Sequence, residues 1–314
     1  VYTAHSEYQR MRELARVCAA AASLAALHGD TEQGVEWLRR GLVLSRHMSD
    51  EGETMACLVA FATDAIALKA AERVVAAGPV AVEAAQRLSA ELQAVDYTSA
   101  CCDALEADRA RILELYDRVR ADPAACSVIS SPTAFLGATA PTTPMDKVRE
   151  WVLPVVEAAY RRSGGLWNDE LRYLRVVAEA EGLVPRPWRE AHTRWAAVAP
   201  DPGVLDSLSL SAQLEPSYID RLVQKRDTVL ARRGLLQAAL ALNRYKAEHG
   251  VYPKALSEVR IEGLPIPHDV FTGRPFVYRK TRDSFILYSI GRDLKDDGGR
   301  DGWDDGDAAW NPTP

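Results

Sequence analysis

The chain has 314 residues, 47% hydrophobic and 26% charged, which suffices for one large or two ordinary folded domains and excludes overall disorder. A formal net charge of −6, without any basic stripe, excludes a nucleic-acid binder. No uninterrupted apolar run is long enough for a bilayer, so no membrane span is expected; the start at Val1 reads as a trimmed chain, consistent with removal of an upstream anchor or signal.

Apolar residues recur at helical spacing from Tyr8 to Leu27, through Met11, Leu14, Val17, Cys18 and Leu24. Gly29 stops this helix, and Thr31 and Glu32 start another carrying Val35, Leu38, Leu42 and Met48. The pair is an αα-hairpin, with no second copy at the roughly 34-residue period of a tetratricopeptide array. Helices are expected over 51–77, closed by Gly78 and Pro79, then over 80–95 and 99–120. Residues 121–145 hold Pro123, Pro132, Pro141 and Pro144 among Ser, Thr and Gly, and read as a long irregular loop. A helix from Asp146 stops or kinks near Pro154, and another covers 166–181 before Pro185 and Pro187 interrupt. Pro200, Pro202, Gly203 and Pro216 mark a linker.

The longest periodic stretch follows, Tyr218–His249, closed by Gly250. Strand-like segments come only after it: 274–279 and 284–290, joined by the short polar link 280–283 as an antiparallel hairpin. The fold class is therefore mainly α. An all-helical domain spans 1–200, a linker 201–217, and a small α+β domain 218–314 consists of a long helix plus the hairpin.

No G-x-S-x-G, H-E-x-x-H, Walker A or G-x-G-x-x-G occurs, and the six histidines lack ligand spacing. Five cysteines without C-x-x-C spacing make neither a zinc site nor a disulfide framework, and Cys18, Cys57 and Cys101 read as small helix-packing residues. His28 and His249 precede glycines at helix ends, where a cation-capable side chain suits the dipole. The pairs Arg39-Arg40 and Arg232-Arg233 read as solvated helix faces. Trp151, Trp167, Trp188 and Trp195, with Arg189 and Arg194, fit core packing better than an aromatic pocket. With no nucleophile, base or paired carboxylate in a workable pattern, the chain reads as non-enzymatic.

Seven aspartates lie between Asp293 and Asp307, interleaved with Gly298, Gly299, Gly302 and Gly306. Crowded carboxylates repel, which raises their pKa values or loosens the loop unless a cation binds. Calcium suits such a loop, since it accepts about 6–8 oxygens in flexible geometry. Asp293, Asp297 and Gly298, with Asp304 at the twelfth position, half-fit an EF-hand, against which stand Lys295 at a ligand position and the lack of an exiting helix. A solvated acidic tail is the alternative.

Three ordered segments carry a resemblance. They are LNRYKAEHGVYPKALSEV (Leu242–Val259), HDVFTGRPFVYRK (His268–Lys280) and FILYSIGRDLKDDGG (Phe285–Gly299). Together they resemble the globular head of the major pseudopilin of type II secretion, with matches at Tyr245, Gly250, Tyr252-Pro253, Asp269 to Pro275, and Tyr288-Ser289-Ile290-Gly291-Arg292-Asp293. The resemblance covers about 218–314. It implies a calcium (Ca2+) site formed by the carbonyl of Ile290, the carboxylate of Asp293, and Asp304 with Asp305. It also implies an exported protein, secreted, periplasmic or cell-envelope associated, linked to secretion or envelope assembly. The helix that anchors family members is charged here at Arg221, Lys225, Arg226, Arg232 and Arg233, and over 200 residues precede it. A pseudopilin-like head joined to a helical interaction domain with a protein partner is thus expected, rather than a filament subunit. Two other readings stand beside it: a helical-repeat-like adaptor capped by the head, and a hydrolase-like enzyme with 121–145 as its lid.

Overall fold

The computed structural model describes residues 2–121, 164–198, 217–300 and 307–310. The chain is mainly helical with a small three-stranded antiparallel sheet. Its first helices are α1 (Tyr2–Leu27), α2 (Thr31–Ser49), α3 (Thr54–Ala77), α4 (Val82–Gln93) and α5 (Tyr97–Ala121). Then come α6 (Gly165–Leu183), α7 (Trp188–Val198) and α8 (Ser217–His249). The strands are β1 (Val277–Lys280), β2 (Phe285–Ser289) and β3 (Ala308–Trp310). The expected helix from Asp146, the loop 121–145 beyond Ala121, and the linker up to Pro216 lie outside the described residues.

α1, α2 and α3 pack on one another as the hairpin pattern predicts. Asp30 caps α2, accepting the Gln33 N–H at 2.9 Å, and satisfies one of the orphan donors of the first turn. On the α3 side, α2 presents Gly34 to Val74 and Gly41 to Ala67, two turns apart, so the helices approach closely. α3 is the only described helix long and apolar enough to cross a membrane by length and composition. Here it is the inner helix of the body, with Ala56, Ala60, Ala71 and Val74 wholly buried. Cys57 and Cys101 are buried and free, and the Cys57 Sγ lies 3.6 Å from the Ala100 carbonyl.

The sequence reads Arg232-Arg233 as a solvated face of α8, and that is corrected, since both are buried. From Ala231 to Leu242 every residue is buried, because α8 lies between α3, α4 and α5 on one side and β2 and β3 on the other. Leu235, Leu236, Leu240 and Leu242 belong to the same hydrophobic core as Val74, Leu88 and Leu105 of the body and Leu287 and Trp310 of the sheet. Gly234 is required where Phe276 crosses α8, since a Cβ there would stand 2.7 Å from the ring. Arg233 is buried and ion-paired with Asp64 of α3, which also accepts the Ser45 hydroxyl. Its other nitrogens donate to the Leu92 carbonyl at 2.9 Å and the Tyr97 hydroxyl at 3.4 Å. Arg226, equally buried, donates to Asp227 at 2.7 Å and to the carbonyls of Val184 and Arg186. Near its other end, Asn243 accepts the Val80 N–H at 3.0 Å and donates to the carbonyls of Val75 and Gly78. These polar groups survive burial because each has partners.

The sheet extends the expected hairpin by a third strand. β1 and β2 pair in the register Val277 to Tyr288, around a turn in which the Thr281 N–H donates to the Ser284 carbonyl at 2.9 Å. β3 pairs with the other edge of β2, Leu287 opposite Trp310, and places both residues in the core. α7 is likewise additional. Its Trp188 donates from Nε1 to the Arg292 carbonyl at 3.2 Å, and Arg189 donates to the Val270 carbonyl at 2.6 Å. Trp188 is half-buried and packs against the hydrophobic core, as expected, and with Arg189 it ties α7 to the loops around Val270 and Arg292. Trp167 is exposed beneath the Arg120 guanidinium, 4.3 Å from the ring centre.

Candidate metal centre

Two loops meet at the end of β2. The first, Asp269–Gly273, is tied by its own aspartate: Asp269 N–H donates to the Arg274 carbonyl at 2.8 Å, and the Gly273 N–H returns to the Asp269 carbonyl at 2.7 Å. The Asp269 carboxylate accepts the Phe271 N–H at 3.1 Å, the Thr272 hydroxyl at 3.3 Å and the Ser289 hydroxyl at 2.8 Å. Burial pushes this carboxyl above the ordinary aspartate value, while those donors pull it back. Ser289 also accepts the Gly291 N–H at 3.2 Å, so one hydroxyl joins the first loop to the start of the second.

The second loop begins at Ile290, which is half-buried, and turns through Gly291. Asp293, half-buried, accepts the Lys295 N–H at 3.1 Å in an Asx turn. Asp296 accepts the Tyr288 hydroxyl at 2.7 Å and the Gly298 N–H at 2.9 Å, and the tyrosine bond holds its carboxyl below the ordinary range. Tyr288 in turn is pushed up to about 12, first by burial and then by Asp296. Gly299, at φ 85°, passes so close over the Tyr288 ring that a Cβ would lie 3.1 Å from it.

Asp307 closes the loop onto the sheet. It is fully buried, and one carboxylate oxygen accepts the Gly299 N–H at 2.6 Å. The other, Oδ1, is buried without a hydrogen-bond partner among the described residues. Burial pushes this carboxyl up, the N–H groups of Gly299 and Asp297 pull it back, and the nearby charges of Asp296 and Asp297 add to the rise. A buried, half-satisfied carboxylate costs roughly 1–3 kcal/mol or more, and a cation beside it would offset the cost.

Of the four residues expected as ligands, Ile290 and Asp293 fall on consecutive turns of this loop, whereas Asp304 and Asp305 lie outside the described residues. Among the described residues no group of three or more His, Cys, Asp or Glu side chains is arranged to hold a metal ion. In the sequence Asp307 is one more aspartate of the loop. Its position immediately before Ala308-Ala309-Trp310, a small apolar strand, was the available signal that it is drawn inward. No protein-family model, no curated protein and no solved structure matches the chain.

Proposed function

We propose that this is a non-enzymatic exported protein, secreted, periplasmic or associated with the cell envelope. In this reading its helical body is an interaction domain, and its pseudopilin-like head is stabilised by calcium. The metal would be held by the Ile290 carbonyl and by Asp293, Asp304 and Asp305, with Asp307 contributing from the sheet side. Calcium here acts structurally, fastening the loop after β2 to the strand that completes the sheet.

The observation that supports the metal most directly is buried Asp307, whose Oδ1 has no hydrogen-bond partner among the described residues, beside the Asp-rich loop. A solvated acidic tail would not need an inward carboxylate. The test is thermal melting in calcium and in EDTA for the wild type, Asp293→Ala and Asp307→Asn. Calcium at a hundredfold excess over Kd should stabilise the wild type by about 2.7 kcal/mol and both variants by much less. Equal melting in every condition would remove the metal and leave a purely structural head.

A further inference from the structure

A groove with a cavity volume of about 1380 Å³ runs along the helical body, with α3 as its floor and α1 and α8 as its walls. Lining positions on α3 extend from Met55 to Arg73, which at 1.5 Å per residue is a trough about 27 Å long. Its floor is apolar, formed by Leu58, Ala62, Ala65 and Ile66, and Leu24, Leu27 and Met55 are more than half exposed along it. The volume exceeds the roughly 300–1,000 Å³ of small-molecule sites, and the length matches about five turns of helix.

Charge is segregated here. Seven lining side chains are basic and one, Asp220, is acidic, in a chain whose net charge is −6. The cations stand on both walls and at the edge of the floor: Arg12 and Arg16 on α1, Arg221 and Lys225 on α8, Lys69 and Arg73 on α3. Lys69 is paired with Glu72 at 2.7 Å, whereas Arg12, Arg16 and Lys225 have no carboxylate within ion-pair distance among the described residues. An anionic lipid or fatty acid would call for cations gathered at one end of a closed slot. Two flanking rows along an open apolar trough instead match an amphipathic helix with acidic residues on both sides of its apolar stripe.

We infer that the α1–α3–α8 groove docks an acidic amphipathic helix of about 18 residues from a protein partner. The inference rests on reading the helical body as an interaction domain, and is independent of the calcium loop. The incoming helix would lie over α3 between α1 and α8, cover Leu24, Leu27 and Met55, and bring carboxylates to Arg12, Arg16 and Lys225.

The test uses fluorescein-labelled synthetic peptides with one leucine stripe, flanked in one by glutamates and in the other by lysines, measured by anisotropy on the full chain. The acidic peptide should bind, and Arg16→Glu with Lys225→Glu should weaken it by about tenfold or more while improving the lysine peptide. Both substitutions are at exposed positions, and Ala65→Trp, which fills the floor without altering charge, should block either peptide. Binding of the acidic peptide that ignores all three substitutions would overturn the groove while leaving an interaction surface elsewhere on the body. Failure of both peptides and of phosphatidylglycerol vesicles to bind would overturn the groove as a docking site, without deciding whether the body interacts elsewhere. Binding of phosphatidylglycerol vesicles, but of no peptide, would replace the partner helix with a lipid surface.

Discussion

The hydroxyl of Ser289, the last residue of β2, donates to the buried carboxylate of Asp269 twenty residues earlier, at 2.8 Å. That bond joins two of the three segments on which the pseudopilin resemblance rests. Ser289→Ala should therefore destabilise the protein by about 1–3 kcal/mol, because a buried acceptor loses a donor and the Gly291 N–H loses its acceptor. Ser289→Thr, which keeps the hydroxyl and suits a strand, should recover most of the loss. Urea unfolding at constant m decides it, and an unchanged midpoint for the alanine variant would show that the bond contributes nothing.

Arg233 and Asp64 form the charged centre of the helical body. Arg233→Met alone should cost about 3–5 kcal/mol, because it leaves the Asp64 carboxylate buried and uncompensated. Pairing it with Asp64→Leu should restore most of that, since an apolar pair of similar volume avoids the desolvation of both ions. A double variant no more stable than the single one would mean that the hydrogen bonds to Leu92 and Tyr97, rather than the ion pair, set the cost.

Gly234→Ala would drive a methyl group into the Phe276 ring and should destabilise by about 1–3 kcal/mol. Phe276→Leu, itself destabilising, should make the added methyl group harmless. A double-mutant cycle showing no coupling would place the strain elsewhere.

Asp96 precedes α5 and accepts the N–H groups of Thr98 and Ser99 at 3.0 and 3.1 Å. The Ser99 hydroxyl, also donating to it, holds its carboxyl below the ordinary value of 3.8. A depressed folded-state value means that the cap stabilises above the unfolded value and loses its effect as pH falls through the folded one. Asp96→Ala should therefore cost about 1 kcal/mol at neutral pH. The difference from wild type should persist down to about pH 4 and shrink below it. A gap that closes already between pH 7 and 5 would indicate that another group is titrating.

Helices were legible because their apolar period is local: α1 to α6 and α8 begin or end within a few residues of the expected positions. Three features were not. Arg233 reads as a solvated charge because Asp64, the partner that makes its burial tolerable, lies 169 residues away in sequence. β3 has only three residues, too few to show alternation, and becomes a strand by pairing with β2. α7 follows two prolines that look like the end of structure, but Pro187 stands just before its first residue, where proline suits a helix start. At the candidate centre, the loop aspartates are one residue type in one stretch, and only the fold separates inward Asp307 from outward Asp296.

Because one helix serves both the body and the sheet, a cut at the start of α8 would not release a self-sufficient head. A fragment from Ser217 onward would carry Leu235, Leu236 and Leu240 together with the unmatched cation of Arg233, with no α3, Tyr97 or Leu92 to receive them. For anyone wishing to transplant the Asp-rich loop with its sheet, the smallest portable piece would have to bring the α3–α5 scaffold with it. The same sharing would penalise lineages that exchange the tail between proteins, unless the receiving α8 already offers glycine beneath the Phe276 ring and an acid opposite Arg233.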